Sequence, residues 1–244
     1  MSRALDDAFT SPAAKARHVR RLFATIADRY DLITRLLSFG LDAQWKRRVV
    51  TLAAVRPGER ALDLATGTGD IARLVATRGA RVTGLDLTMR MVQLARTKPP
   101  LPGAGPLTWL VGDMIALPAP TSAMDLVTVG YGLRNVPDLD AAIDEIVRVL
   151  VPDGRLVSLD FNRPSALLVR AVYLGYLRAV GGGLGWLLHG DPDTYRYIPA
   201  SIARYPGAEG VAARLRQRGF ADVQIVPILF GLMTIHVARR APAT

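Results

Sequence analysis

Between residues 61 and 160 short apolar runs alternate with stretches at helical spacing, and this alternation limits the fold more than any other feature of the chain. Ala61 to Ala65, Arg81 to Asp86, Trp109 to Asp113, Asp125 to Val129 and Arg155 to Asp160 read as strands. Asp70 to Thr77, Met89 to Arg96 and Asp138 to Leu150 read as helices between them. Strands joined through helices run parallel, and a parallel sheet is covered on both faces. Val223 to Ile228 and Met233 to Val237 close the chain as an antiparallel pair. The expected fold is α/β, a doubly wound, mostly parallel sheet of seven strands in one domain of 244 residues. Its cofactor-binding core is 57–161, after a helical cap (1–56) and before a helical insertion (162–210); a closing helix and the last two strands complete it (211–244). Cap and insertion are expected over the carboxyl edge of the sheet, where ligands bind in this architecture.

Composition removes several chemistries. No cysteine is present, so disulfides, thiolate nucleophiles and cysteine-ligated metals are excluded. His18, His189 and His236 are far apart, and no metal site is expected. The 31 basic against 21 acidic residues leave a net charge of +10. Such a charge suits a polyanion or an anionic membrane surface, or simply keeps an apolar chain in solution. Aromatic residues are not interleaved with basic ones, which argues against nucleic acid as a partner. The first twenty residues carry no secretory signal, so a cytoplasmic location is expected, peripheral at the inner membrane face if a membrane is met. Homo-oligomerisation stays open.

The stretch from Ser165 to Leu188 is the most apolar, but Arg170, Arg178 and several glycines interrupt it. It is expected to fall short of the ~20 clean apolar residues of a spanning helix. Residues before Gly181 suit a helix, and the glycines at 181, 182, 183 and 185 suit a bend. The segment is expected to form an apolar lid or groove that includes Leu187, against the plainer alternative of packing on the sheet.

The run Asp63-Leu64-Ala65-Thr66-Gly67-Thr68-Gly69-Asp70 follows the first strand and opens a helix. Gly67 and Gly69 let the backbone approach a ligand, and Asp86, 19 residues after Gly67, can accept both hydroxyls of a ribose. Gly67-x-Gly69-x-x-Ala72 also fits a dinucleotide site by spacing. Charge separates the two readings. Asp63 and Asp70 would repel a pyrophosphate at the helix start but attract the sulfonium and ammonium of S-adenosylmethionine. Asp113 ends the third strand, where an adenine amino group would sit. The loop from Gly130 to Pro137 should face a transferred methyl group, with Arg134 and Asn135 placed to hydrogen-bond an anionic oxygen of a substrate.

Longer motifs carry a resemblance. Phe23-x-x-Ile26-Ala27-Asp28-x-Tyr30-Asp31, Ser38-Phe39-Gly40, Trp45-Lys46-Arg47, the glycine run, Gly132-Leu133-Arg134-Asn135-Val136 and Tyr195-Arg196-Tyr197 resemble the ubiquinone/menaquinone C-methyltransferase family (UbiE/MenG type) over nearly the whole chain. The family's Tyr-Asp-x-Met-Asn reads Tyr30-Asp31-Leu32-Ile33-Thr34 here. The resemblance implies a Rossmann-like methyltransferase using S-adenosylmethionine, with cofactor positions at Thr68, Asp86, Asp113, Met114 and Gly130. It also implies a prenylated quinol as substrate, methylated on a ring carbon beside a hydroxyl. In that chemistry Arg134 meets the developing oxyanion, Asn135 supports it, and Tyr30, with Asp31 or Asp160, is the expected proton acceptor.

Overall fold

A computed structural model describes residues 3–164 and 166–242. Its sheet has seven strands: β1 (Arg60–Leu64), β2 (Arg81–Asp86), β3 (Leu107–Val111), β4 (Met124–Gly130), β5 (Leu150–Phe161), β6 (Phe220–Ile228) and β7 (Met233–Arg240). Their order is β3-β2-β1-β4-β5-β7-β6. β1 to β5 are parallel, and β7 is antiparallel to both β5 and β6. The helices are α1 (Arg3–Asp7), α2 (Pro12–Ile26), α3 (Tyr30–Leu37), α4 (Asp42–Ala53), α5 (Asp70–Ala76), α6 (Met89–Thr97), α7 (Leu139–Val149), α8 (Leu167–His189), α9 (Asp193–Arg204) and α10 (Gly207–Gln217).

Successive strand residues feed opposite faces, and each face has its own core. On one face Leu62, Leu64, Val127 and Leu156 pack with Ile143 and Ile146 of α7 and Leu215 of α10. On the other, Ala61, Leu126 and Val157 pack with Val49 and Val50 of α4 and Val75 of α5. Asp138 caps α7, its side chain accepting from the N–H groups of Asp140 and Ala141. Strand order reverses between β1 and β4, so their carboxyl ends form the crevice in which this architecture holds a ligand.

The two outlying segments meet over that crevice. Leu5 and Val19 of the cap pack with Tyr197 and Ala200 of α9, and Ile26 and Ile33 pack with Tyr195. Two expectations for the apolar stretch do not hold. The glycines make no bend, because α8 runs unbroken from Leu167 to His189 and ends at Gly190, whose φ is 68°. The glycines instead let α9 come close. A Cβ on Gly185 would lie 2.5 Å from the Asp191 carbonyl oxygen, and one on Gly181 3.1 Å from that of Tyr195. Uninterrupted, α8 is long and apolar enough to cross a membrane by length and composition, with 22% of its most apolar window buried. Ser165 lies outside the described residues.

Candidate active site

Two cavities adjoin at the carboxyl edge of the sheet. The first, about 80 Å³, is walled by the loops after β1 to β4 and roofed by Val19 and Phe23 of α2. The second, about 290 Å³, is mostly apolar and lies between α2, α3 and the α8–α9 pair, with Arg134 in its wall. Tyr30 and Tyr131 line both.

Gly67, Asp86, Asp113, Met114 and Gly130 line the smaller cavity, as does Asn135. Asp86 does so while shaping the loop, since one carboxylate oxygen accepts from the N–H of Gly67 (2.9 Å) and the other from that of Thr88 (2.8 Å). Burial pushes its carboxyl up, against those two N–H donors. Asp113 accepts from the N–H of Ile115 at 3.1 Å.

Asp63, Thr68 and Gly69 lie elsewhere. Asp63 is 1% exposed, and its oxygens accept from the hydroxyls of Thr66 and Thr128 (both 2.6 Å) and the N–H of Ala72 (3.2 Å). It organises the turn, and burial pushes its carboxyl up to about 6 against those donors. Thr68 donates to Asp31 (2.6 Å) and accepts from Lys98 (2.8 Å). Gly69 caps α5 with a φ of 85°, and a Cβ there would lie 2.4 Å from the Trp109 ring, so the glycine serves packing.

The acid at the helix start is not a bare charge. Asp70 contacts Lys46 at 2.7 Å and Lys98 at 2.8 Å, and these in turn contact Asp42 and Asp31. Burial pushes Asp70 up, but the two ammonium groups hold it down at about 2. The repulsion expected against a pyrophosphate is therefore largely cancelled by two lysines remote in sequence. What the cavity does offer is Asp86 and Asp113 with Gly67 between apolar walls, and among the described residues no lysine or arginine lines it to take a phosphate. That donor set fits a phosphate-free nucleoside carrying positive charge.

Arg134 sits in a 3-10 turn after β4 and is 6% exposed. Its Nη1 donates to Asn135 Oδ1 and to the Ser201 hydroxyl, both at 2.9 Å, and its Nε lies 3.0 Å from Asp160. The guanidinium stands 5.0 Å from the centre of the Phe161 ring. Asn135 is fixed in turn by donating to the Tyr131 carbonyl at 2.8 Å. Lys15 of α2 donates to the Arg134 carbonyl at 3.0 Å, tying the cap to this loop.

Tyr30 does not suit a proton acceptor. Burial pushes its phenol up, against Lys46 and Arg134, so it stays protonated at neutral pH. The acids expected beside it are otherwise engaged. Asp31 is held by Thr68 and Lys98, and Asp160 by Arg134 and the N–H of Phe161. Leu187 lines neither cavity and is 70% exposed; α8 contributes Tyr173, Tyr176 and Leu177 to the larger one. Ser201 of α9 had no motif to mark it, whereas Tyr197 belongs to the Tyr195-Arg196-Tyr197 run. Tyr131 did have a signal, a bulky residue between Gly130 and Gly132 at a strand end.

The chain matches the model of the ubiE/COQ5 methyltransferase family over residues 11–240. It is 42% identical to the demethylmenaquinone methyltransferase of Thermus thermophilus, across 90% of this chain and 100% of that one. It is 37% identical to the ubiquinone/menaquinone biosynthesis C-methyltransferase of Rubrivivax gelatinosus, across 94% and 89%. Among solved structures, an S-adenosylmethionine-dependent methyltransferase from Mesorhizobium loti superposes with a TM-score of 0.59 at 22% identity, covering 82% of this chain and 100% of that one.

Proposed function

The chain belongs to the ubiE/COQ5 methyltransferase family, and from that premise we propose that it moves the methyl group of S-adenosylmethionine onto a ring carbon of a prenylated quinol. The observation that carries this reading is the seam at Tyr30 and Tyr131, where a crevice lined by Asp86 and Asp113 adjoins a mostly apolar cavity. The relatives' names, one a demethylmenaquinone methyltransferase and the other of ubiquinone/menaquinone biosynthesis, support a demethylmenaquinol or a polyprenyl benzoquinol as the substrate class.

S-adenosylmethionine, when bound, supplies a methyl group already activated on a sulfonium, so the protein contributes mainly position. Gly67, Asp86, Asp113, Met114 and Gly130 would hold it, Asp86 toward the ribose hydroxyls and Asp113 toward the adenine amino group. On the acceptor side, loss of the hydroxyl proton places electron density on the neighbouring ring carbon. Arg134, fixed by Asn135, Ser201 and Asp160, is the cation able to stabilise the resulting oxyanion. At the seam the ring carbon would take the methyl group as its bond to sulfur breaks, leaving a neutral thioether, and release of the ring proton to solvent would restore aromaticity.

The isoprenoid tail fits the apolar cavity toward its mouth, where Phe39 and Leu229 stand. Phe39 and Phe230 are exposed, as are Leu167, Leu168, Val172 and Trp186 on α8. This face suits a membrane surface, with the +10 charge favouring anionic lipid. The protein would then work at the cytoplasmic side of the membrane that holds its substrate. Expression in cells lacking their own quinone C-methyltransferase tests the substrate class. Restored methylated quinone is the expected outcome. A folded, expressed protein that leaves the unmethylated quinone in place would turn the assignment toward another small aromatic or isoprenoid acceptor.

A further inference from the structure

Tyr131 combines three features that packing alone does not explain. It is 9% exposed, yet its hydroxyl has no hydrogen-bond partner among the described residues. Its φ is 59°, a left-handed conformation unfavourable for a bulky residue, held by an N–H donated to the Leu159 carbonyl at 2.7 Å. Its ring forms part of the wall of both cavities and tilts against Phe161 at 5.8 Å between centres. A buried hydroxyl left unpaired costs about 1–3 kcal/mol. A phenylalanine here would avoid that penalty while keeping the ring contacts. The conformation and the hydroxyl together place an unused donor at the seam between cofactor and acceptor.

We propose that the Tyr131 hydroxyl donates a hydrogen bond to the ring oxygen beside the carbon that receives the methyl group, and so selects which ring position meets the cofactor. This rests on the quinol reading above and adds a residue to it. An oxygen adjacent to the reacting carbon must itself lie at the seam. Phe23, Tyr30 and Tyr131 line both cavities, and of the two tyrosines Tyr131 is the one whose hydroxyl is buried without a partner among the described residues. Burial pushes its phenol well above the ordinary range, so it stays protonated and able to donate at neutral pH. Arg134 contributes charge to the same oxygen, and Tyr131 contributes direction.

The test compares wild type with Tyr131→Phe on a short-tailed demethylmenaquinol, with melting temperature and S-adenosylmethionine affinity measured alongside. The expected result is a melting temperature equal to or above wild type and cofactor affinity within about two-fold. kcat/KM for the quinol should fall about ten- to a hundred-fold, the loss of one oriented donor. Competing binding of a tail-matched naphthalene without ring oxygens should be unchanged, since it never made the bond. An active wild type with an equally active Tyr131→Phe variant overturns the hydrogen bond alone. A variant that melts lower and loses cofactor and hydrocarbon binding together also overturns it, since the ring would then be structural. A wild type inactive on the quinol overturns the substrate reading, and with it the acceptor oxygen named here.

Discussion

Asp86 has two tasks that a single substitution removes together: it holds the Gly67 N–H at 2.9 Å, and it lines the cofactor cavity. Asp86→Ala is expected to weaken S-adenosylmethionine binding by about 1–3 kcal/mol, read by calorimetry on a variant shown to be folded; unchanged affinity would remove Asp86 from the site. Arg134 is similar in being held as well as holding. Arg134→Ala should lower kcat about a hundred-fold and also destabilise the fold by about 3 kcal/mol, because Asp160, 2% exposed, is left as a buried charge without its partner. Adding Asp160→Asn should recover most of the stability and none of the turnover. Asp63 gives a pH signature. Its folded carboxyl titrates at about 6, above the ordinary value of 3.8, so between those values the folded state binds more protons and stability falls as pH rises. Denaturation from pH 4 to 7 should show a steeper downward slope in wild type than in Asp63→Asn, which keeps the contributions of the buried Asp86 and Asp160 carboxyls. The sequence made Asp86 legible through its spacing from Gly67. It misjudged Asp70, because Lys46 and Lys98, which neutralise it, lie 24 and 28 residues away and reach it only in the folded chain.

The helices α8 and α9 show how a correct residue pattern can carry a wrong local inference. Four glycines within five residues read as a bend because helix propensity penalises glycine, yet the chain uses Gly181 and Gly185 to bring two helices into contact. Tertiary packing decides, and it is not written in local spacing. The two classes of glycine predict opposite signs. Gly185→Ala gains about 1 kcal/mol of helix propensity but forces its Cβ within 2.5 Å of the Asp191 carbonyl oxygen, so a net loss of about 1–3 kcal/mol is expected. Gly183→Ala meets nothing within 4 Å and should stabilise by about 0.5–1 kcal/mol. Thermal melts of the two variants check this directly; equal shifts in the same direction would contradict the packing role. The strands were far easier to read, because a sheet buried on both faces writes itself as short continuous apolar runs. β5 extends beyond its apolar run, from Leu150, because Leu150 pairs with Met124.

The molecule as a whole sets a small crevice lined by Asp86 and Asp113 beside a larger, mostly apolar cavity at two tyrosines, under a roof made jointly by the cap and the insertion. The core strands and the glycine loop were visible in the sequence as patterns. The roof was visible only as two segments that did not fit them, since contacts such as Val19 with Tyr197 span most of the chain. The most direct measurement is transfer of an isotopically labelled methyl group from S-adenosylmethionine to a demethylated prenylated quinol by the purified protein, with the label located in the product by mass spectrometry. The account predicts one label per turnover, on a ring carbon adjacent to an oxygen. A folded protein that binds S-adenosylmethionine but leaves the quinol unlabelled, or that places the label on oxygen, would contradict it.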